Sequence, residues 1–260
     1  MFERRDLSDR LEDVRDEHAP DALVFDCERD FETLQPALAE DLGVVVDTLE
    51  PVSYPSEWLP ADAPTLLQRY AGSEFTIGMP GDGSIAWTEQ TDPAVVLVKP
   101  RVEGSPEPFL EFLLAEAFVE LGLGVPEHFL GFFEEGYREF DRAVSLGPND
   151  TYQVATALYD GWVGLQTREV FADWRDDHPD LAAAWQDAGN RLEGRVSDLP
   201  RATARGEIEF ADATELACAA IKHAIELPTP FAALETDAYR DHGPGYAVTW
   251  AEKTFDALAE

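Results

Sequence analysis

Apolar residues recur every third or fourth position over most of this chain, and one stretch departs from that rhythm into strict alternation. Leu7, Leu11 and Val14 predict an amphipathic helix with a charged outer face near the N-terminus. "DALVFDC" is a short apolar run that fits either a strand or a buried turn of helix. Residues 31–49 read as helical with an interruption or kink near Pro36. "EPVSYPSEWLPADAP" holds four prolines, which makes it a loop with Tyr54 and Trp58 turned back onto the body. A short helix is expected over 64–71.

The alternating stretch is "EFTIGMPGDGSIAWTEQ". Phe75, Ile77 and Met79 lie on one side, Ile85 and Trp87 follow the same period, and Asp-Gly between them suits a hairpin turn. "AVVLVKPR" then supplies a third strand. Short connections favour antiparallel neighbours, because a parallel pair needs a long crossover. The expectation is therefore a three-stranded antiparallel meander over about residues 74–101. Val95, Val96, Leu97 and Val98 are apolar on both faces, so this strand should be covered on both sides.

From Ser105 onward the rhythm is helical. Ser105 is placed as an N-cap with Pro106 at the first helical position. Phe109, Phe112, Leu113, Ala117 and Leu121 form the stripe, ended by Gly122 and Gly124. "PEHFLGFF" suggests a shorter helix. Asp150 would cap the longest one, with a stripe of Tyr152, Ala155, Tyr159, Trp162, Leu165 and Val170. Another starts at Pro179 with Leu181, Ala184, Trp185, Ala188 and Leu192. Leu216, Ala220 and Ile221 mark the next, and Val248, Ala251, Phe255 and Leu258 the last. The fold class is α+β, mostly helical with a small meander covered by helices. A single domain over 1–260 is favoured, since the meander has an apolar face that helices must cover. A subdivision into 1–104 and 105–260 is the alternative.

Charge changes the picture. Among 260 residues, 53 are Asp or Glu and 19 are Lys or Arg, a formal charge of −34, yet 45% are hydrophobic. Such self-repulsion opposes a compact state at low ionic strength. At about 1 M salt the Debye length is about 3 Å, so distant carboxylates hardly interact. Arg strongly outnumbers Lys, and the acids are spread along the chain, as a solvated surface requires. The composition points to a salt-loaded cytosol. The stretches "RYAGSEFTIGMPGDGSIAW", "LVKPRVEGSPEPFLEFLLAEAF" and "AYRDHGPGYAVTWAEKTF" resemble those of an uncharacterised protein family of halophilic archaea, over nearly the whole chain. The resemblance implies that habitat and a self-sufficient fold, and it carries no activity or catalytic residue.

Cys27 and Cys218 lack any ligand spacing and read as reduced core thiols of a cytoplasmic protein. "MFERRDLSDRLEDVRDEH" has no apolar core of a signal peptide. The longest membrane-span candidate, 109–125, is broken by Glu111, Glu116 and Glu120, so no membrane partner is expected. Nucleic acid is not expected either, given the repulsive field and the absence of basic runs.

Lys99 and Arg101 are the candidate site. Lys99 is one of only three lysines and stands with Arg101 at the end of the most apolar run. Residues two apart in a strand share a face. One reading is strand termination, with charges and Pro100 blunting the edge and the cationic heads in water. The other is an anion site, both cations facing the helix opened by Ser105, whose free N–H groups attract negative charge. Glu103 and Glu107 would weaken it. The glycines of "GMPGDGS" fit neither phosphate-binding motif. The histidines, His18, His128, His178, His223 and His242, are scattered. His223 and Glu226 share a helix face but lack the second pair and the further glutamates of a di-iron site. "DWRDDHPD" lacks the ligand pattern of a calcium loop. No cofactor and no metal are expected. Whether the chain is an enzyme stays open. The leading expectation is a protein that binds another protein, a second copy of itself or a small molecule. The alternative is an enzyme or anionic-metabolite binder with a dispersed site near Lys99, Arg101 and Ser105.

Overall fold

In the computed structural model, which describes residues 2–34, 36–71, 77–78 and 83–259, the chain opens on a short strand, β1 (Phe2–Arg4), before its first helix. That helix, α1 (Asp9–His18), is capped by Ser8, whose side chain accepts from the Leu11 N–H, and it buries Leu11 and Val14 as its period demands. β2 (Leu23–Cys27), α2 (Pro36–Ala39), β3 (Thr48–Leu49), α3 (Thr65–Tyr70), β4 (Ile85–Thr88), β5 (Thr91–Asp92) and β6 (Val95–Val98) follow. The rest is helical: α4 (Glu107–Leu123), α5 (Phe129–Phe133), α6 (Tyr137–Ala143), α7 (Pro148–Asp177), α8 (Pro179–Ala204), α9 (Phe210–Ile221) and α10 (Asp237–Ala259). These elements form two compact units. Unit 1 comprises Met1–Tyr54, Arg69–His128 and Trp174–Ala184; unit 2 comprises Pro55–Gln68, Phe129–Asp173 and Trp185–Glu260.

Unit 1 is built on a mixed four-stranded sheet in the order β1-β2-β6-β4. The α+β class holds, but the three-stranded antiparallel meander does not. β4 and β6 do pair antiparallel, Trp87 opposite Val96, whereas the other flank of β6 is β2, running parallel with Phe25 opposite Leu97. A parallel pair needs a long crossover, and the chain between Cys27 and Val95 supplies it. Parallel central strands are covered on both faces, which is why Val95, Val96, Leu97 and Val98 are all buried. Of the strand expected at Phe75, Ile77 and Met79, only Ile77 falls among the described residues, where it bridges Leu34; Asp82 of the expected Asp-Gly turn lies outside them.

One sheet face carries Phe25, Cys27, Val95 and Leu97, packed with Leu34, Ala39, Leu42 and Ile77. The covering segment, residues 31–49, is expected as a helix interrupted or kinked near Pro36. It is only α2, a 3-10 turn over Glu40–Val44, and β3, which pairs with β5. Pro36 lacks the N–H for a continuing helix, and the chain is tied into a small ladder beyond Gly43. The helices α1 and α4 pack on each other, and α4 packs on β4. Their approach is set by Gly122, where an added Cβ would stand 2.5 Å from the His18 carbonyl oxygen. Gly124 ends α4 in the left-handed conformation at φ 62°.

Unit 2 is packed by rings. The run "HFLGFF" goes inside: Phe129, Leu130, Phe132 and Phe133 are buried, with Phe129 edge-on to Tyr137 at 5.3 Å and to Tyr152 at 5.4 Å. α7 begins at Pro148, so Asp150 sits in its first turn instead of capping it. Gly161 and Gly164 on α7 admit close neighbours, an added Cβ lying 3.2 Å from Cys218 Sγ and 3.0 Å from the Lys222 backbone nitrogen respectively. α10 is kinked at Gly243, which has φ 45°, ahead of Pro244. Pro244 has no N–H for the Arg240 carbonyl. Trp162 Nε1 donates to that oxygen instead, at 3.0 Å. Val248, Ala251 and Phe255 are buried on α10, while Leu258, expected in the same stripe, is exposed.

Candidate functional site

Lys99 follows β6 directly, and its N–H donates to the Ser84 carbonyl at 2.9 Å. Extending the register by one step places it opposite Cys27, on the face of Val95 and Leu97. That face is roofed by the residues after β2, so the side chain is 0% exposed and Nζ lies 4.8 Å from the centre of the Phe31 ring. The sequence reading in which the cationic head reaches water is therefore corrected.

Arg101 does not continue the strand. Pro100–Val102 is a 3-10 turn, so the two-residue alternation stops at Lys99. Arg101 Nε donates to both carboxylate oxygens of Asp30, at 2.8 and 3.1 Å. Its second terminal nitrogen donates to Glu32 Oε1 at 2.8 Å and to the Phe31 carbonyl at 3.1 Å. This hydrogen bond from Arg101 holds the Asp30 carboxyl below its usual range, and the Asp30 contact in turn raises Arg101. Lys99 and Arg101 thus meet over residues 30–32. Ser105 is exposed and its N–H donates to the Val102 carbonyl at 2.9 Å; the residue that caps α4 is Pro106, whose side chain makes no cap bond. Cys27, beside Lys99 in register, has its thiol pushed up to about 12, by burial first and the Asp26 charge second, which keeps it protonated at neutral pH.

A second cluster forms where the chain leaves α4 and where it turns between β4 and β5. Glu127 follows the α4 cap by three residues. Its Oε2 accepts from Thr88 Oγ1 at 2.8 Å and from the Glu89 N–H at 3.1 Å, and its Oε1 accepts from Gln90 Nε2 at 2.8 Å. Gln90 passes the connection on: its Oε1 accepts from the Val52 N–H at 2.9 Å, and its backbone carbonyl from the Glu50 N–H at 2.7 Å. Tyr54 then closes over the neighbouring His128, which also faces Tyr70, with ring centres 5.7 and 4.3 Å away. Thr88, Gln90 and His128 are all buried. Burial outweighs the three donors and raises the Glu127 carboxyl to about 7, and burial lowers His128 to about 3. A carboxyl group poised near neutrality beside a neutral imidazole can take up or release a proton near neutral pH.

In unit 2, His223 stacks on Trp185 at 6.0 Å, and burial lowers it to about 4. Among the described residues no group of three His, Cys, Asp or Glu side chains is placed to hold a metal ion. Asp173, Asp176 and Asp177 are exposed on the last turns of α7. No helix of the described residues is long and apolar enough to cross a membrane.

A family model described as a family of unknown function, DUF7089, matches residues 1–258. The chain belongs to the DUF7089 family. The extent of the match agrees with the near-complete span of the resemblance noted from the sequence. No curated protein and no solved structure matches the chain. Membership in DUF7089 therefore supplies no activity, and function is not assignable from relatives.

Sequence reasoning singled out Lys99 and Arg101 as candidates and did not name Glu127. The available signal was the polar stretch "TEQTD" breaking an apolar hairpin, together with an acid and a histidine side by side after the α4 glycine cap. Neither feature specifies the other without the fold that joins them.

Proposed function

We propose that this DUF7089 protein is a salt-adapted cytoplasmic protein of a halophilic archaeon that acts by binding a protein or a small molecule. The observation that carries the reading is the charge of −34 on a chain whose interior is ordinary. Spread acids of this density keep a compact state only when ions screen them. Circular dichroism melts in KCl falling from about 3 M to about 0.1 M test it, since the Debye length rises to about 10 Å over that range. One cooperative transition is expected in molar KCl, as a single domain over 1–260 requires, with loss of structure at the low end and recovery when KCl is restored. An unchanged melting temperature down to the lowest salt contradicts the reading.

A second reading is favoured by Arg101, whose guanidinium already binds two carboxylates. In this reading Lys99, Arg101 and Ser105 belong to a site for an anionic metabolite, at the carboxyl end of the parallel pair β2 and β6, where open sheets take ligands. Asp30 and Glu32 then hold the place of the ligand. A panel of phosphate and di- and tricarboxylates at constant ionic strength tests it. A ligand of this site raises the melting temperature of the parent and leaves Arg101→Gln unmoved. Equal shifts in both proteins, or none, remove the site.

A further inference from the structure

Resting on the anion-site reading of Lys99, Arg101 and Ser105, we propose that the ligand of that site is a dicarboxylate and that Asp30 and Glu32 are its built-in competitors: the ligand takes their two places on Arg101 while the backbone that carries them stays where it is. The geometry sets the class. One guanidinium serves two separate carboxylates. Its Nε donates to both oxygens of Asp30, at 2.8 and 3.1 Å, and its second terminal nitrogen donates to Glu32 Oε1 at 2.8 Å. That nitrogen also donates to the Phe31 carbonyl at 3.1 Å. The planar fork fixes the directions of its donors, so the two carboxylates stand at set positions along its edge. A short chain with a carboxylate at each end can fill both positions. A single carboxylate or a phosphate fills one and leaves the other to its resident acid.

Residues 28–33 form neither helix nor strand between Cys27 of β2 and Leu34, which bridges Ile77. Phe31 anchors the middle of this segment. Its ring packs against the cluster of Phe25, Cys27 and Leu97 and lies over Lys99, 4.8 Å from Nζ. Asp30 and Glu32, on either side of Phe31, have side chains 47% and 53% exposed, and Arg101 is 27% exposed. A solute can therefore reach the contact, and both acids can leave it by rotation of their side chains. The bond to the Phe31 carbonyl remains when they leave and keeps the fork aimed, so binding has little order to impose. Charge favours the same class. The Asp30 position feels Arg101 first, through its hydrogen bond, and the enclosed Lys99 in addition, and both hold the carboxyl below its usual range. Two cations thus act where a dicarboxylate brings two negative charges. Tethered groups compete at effective concentrations on the order of millimolar, so removing the resident acids tightens binding of the free ligand.

Nuclear magnetic resonance on the full chain in molar KCl tests this, read at the Arg101 Nε–H, which is assigned by its loss in Arg101→Gln. Succinate and glutarate are titrated against acetate and phosphate at constant ionic strength. In the parent the dicarboxylates are expected to shift this resonance at concentrations at least about tenfold below those that acetate and phosphate need. The double variant Asp30→Ala with Glu32→Ala is expected to bind succinate at least about tenfold more tightly than the parent, because the competitors are gone. Succinate binding no tighter in the double variant overturns the internal competition, and acetate or phosphate acting at the same concentration as succinate overturns the dicarboxylate; in both cases the anion site itself stands. No shift from any of the four anions in either protein removes the anion site and this proposal with it. If the double variant does not fold, Asp30→Asn and Glu32→Gln decide singly: neither binding succinate more tightly than the parent overturns the proposal.

Discussion

Unit 1 and unit 2 solve the same problem with different materials. Unit 1 buries polar and ionisable side chains inside and beside a sheet: Lys99 under Phe31, Thr88 and Gln90 around Glu127, His128 between two tyrosines. Unit 2 relies on rings and on glycines at close approaches, and its buried polar groups serve mainly to satisfy backbone. Tyr239 donates to the Leu158 carbonyl at 2.6 Å, Trp162 to Arg240, and Trp185 to Lys222 at 2.9 Å. The difference teaches where chemistry can reside. A donor spent on a backbone carbonyl repairs a fold. A carboxylate shared among several side chains is a group whose charge the fold can use.

The largest effect that would sharpen this contrast is expected in unit 2. Phe129→Ala removes a fully buried ring that touches Phe133, Tyr137 and Tyr152, and it should cost about 3–5 kcal/mol in a denaturant melt, with no dependence on pH between 5 and 8. A loss below about 1 kcal/mol would show that the ring cluster does not carry unit 2. Next comes Trp162→Phe. It keeps a ring beside Gly243 but removes the 3.0 Å indole donor of the Arg240 carbonyl, which Gln166 meets at 3.4 Å, for a cost of about 1–3 kcal/mol. An unchanged stability would remove the indole from the account of the kink. The smallest effect belongs to unit 1's surface. Arg101→Gln breaks a pair whose carboxylates are about half exposed, and it should cost no more than about 1 kcal/mol, less in molar salt. A larger loss would mean that residues 30–32 depend on Arg101 to cover Lys99.

Much of the helical part was legible because its period is local. Leu11 and Val14, the α4 stripe and its glycine ending, and most apolar positions of α7 to α10, though not Leu258, follow from spacing of three and four. The sheet was legible only where neighbours in sequence are neighbours in space, as for β4 and β6. β2 could not be assigned to β6 because parallel partners are separated by a crossover that leaves no local trace. The same non-locality hid the sites. Lys99 looks solvated in sequence, since nothing near it announces Phe31, and Glu127 gains its meaning from Thr88 and Gln90, almost forty residues away.

The pH behaviour of the buried groups separates the units further. His128 and His223 are depressed by burial, to about 3 and about 4, so each contributes stability that is present above the unfolded value of about 6.5 and is lost as pH falls towards the folded one. Glu127 is raised, so its contribution is present below about 4.3 and is lost as pH rises to about 7. Between about pH 4.5 and 6.5 the Glu127 and His128 contributions in unit 1 have opposite slopes, each up to about 1.4 kcal/mol per pH unit, and largely cancel. In unit 2 burial also raises Glu235 and Asp141, which offsets part of the His223 slope.

Unit 1 holds an adjacent acid and histidine, Glu127 and His128, in the protonation states opposite to those of free side chains between about pH 5 and 6. Nuclear magnetic resonance titration of the His128 ring and the Glu127 carboxyl carbon, in the folded parent in molar KCl from pH 5 to 9, measures this directly. The account predicts a Glu127 midpoint near 7 and a His128 ring that stays neutral throughout. A Glu127 carboxyl already ionised at pH 5, or a His128 ring that titrates between pH 6 and 7, would contradict it.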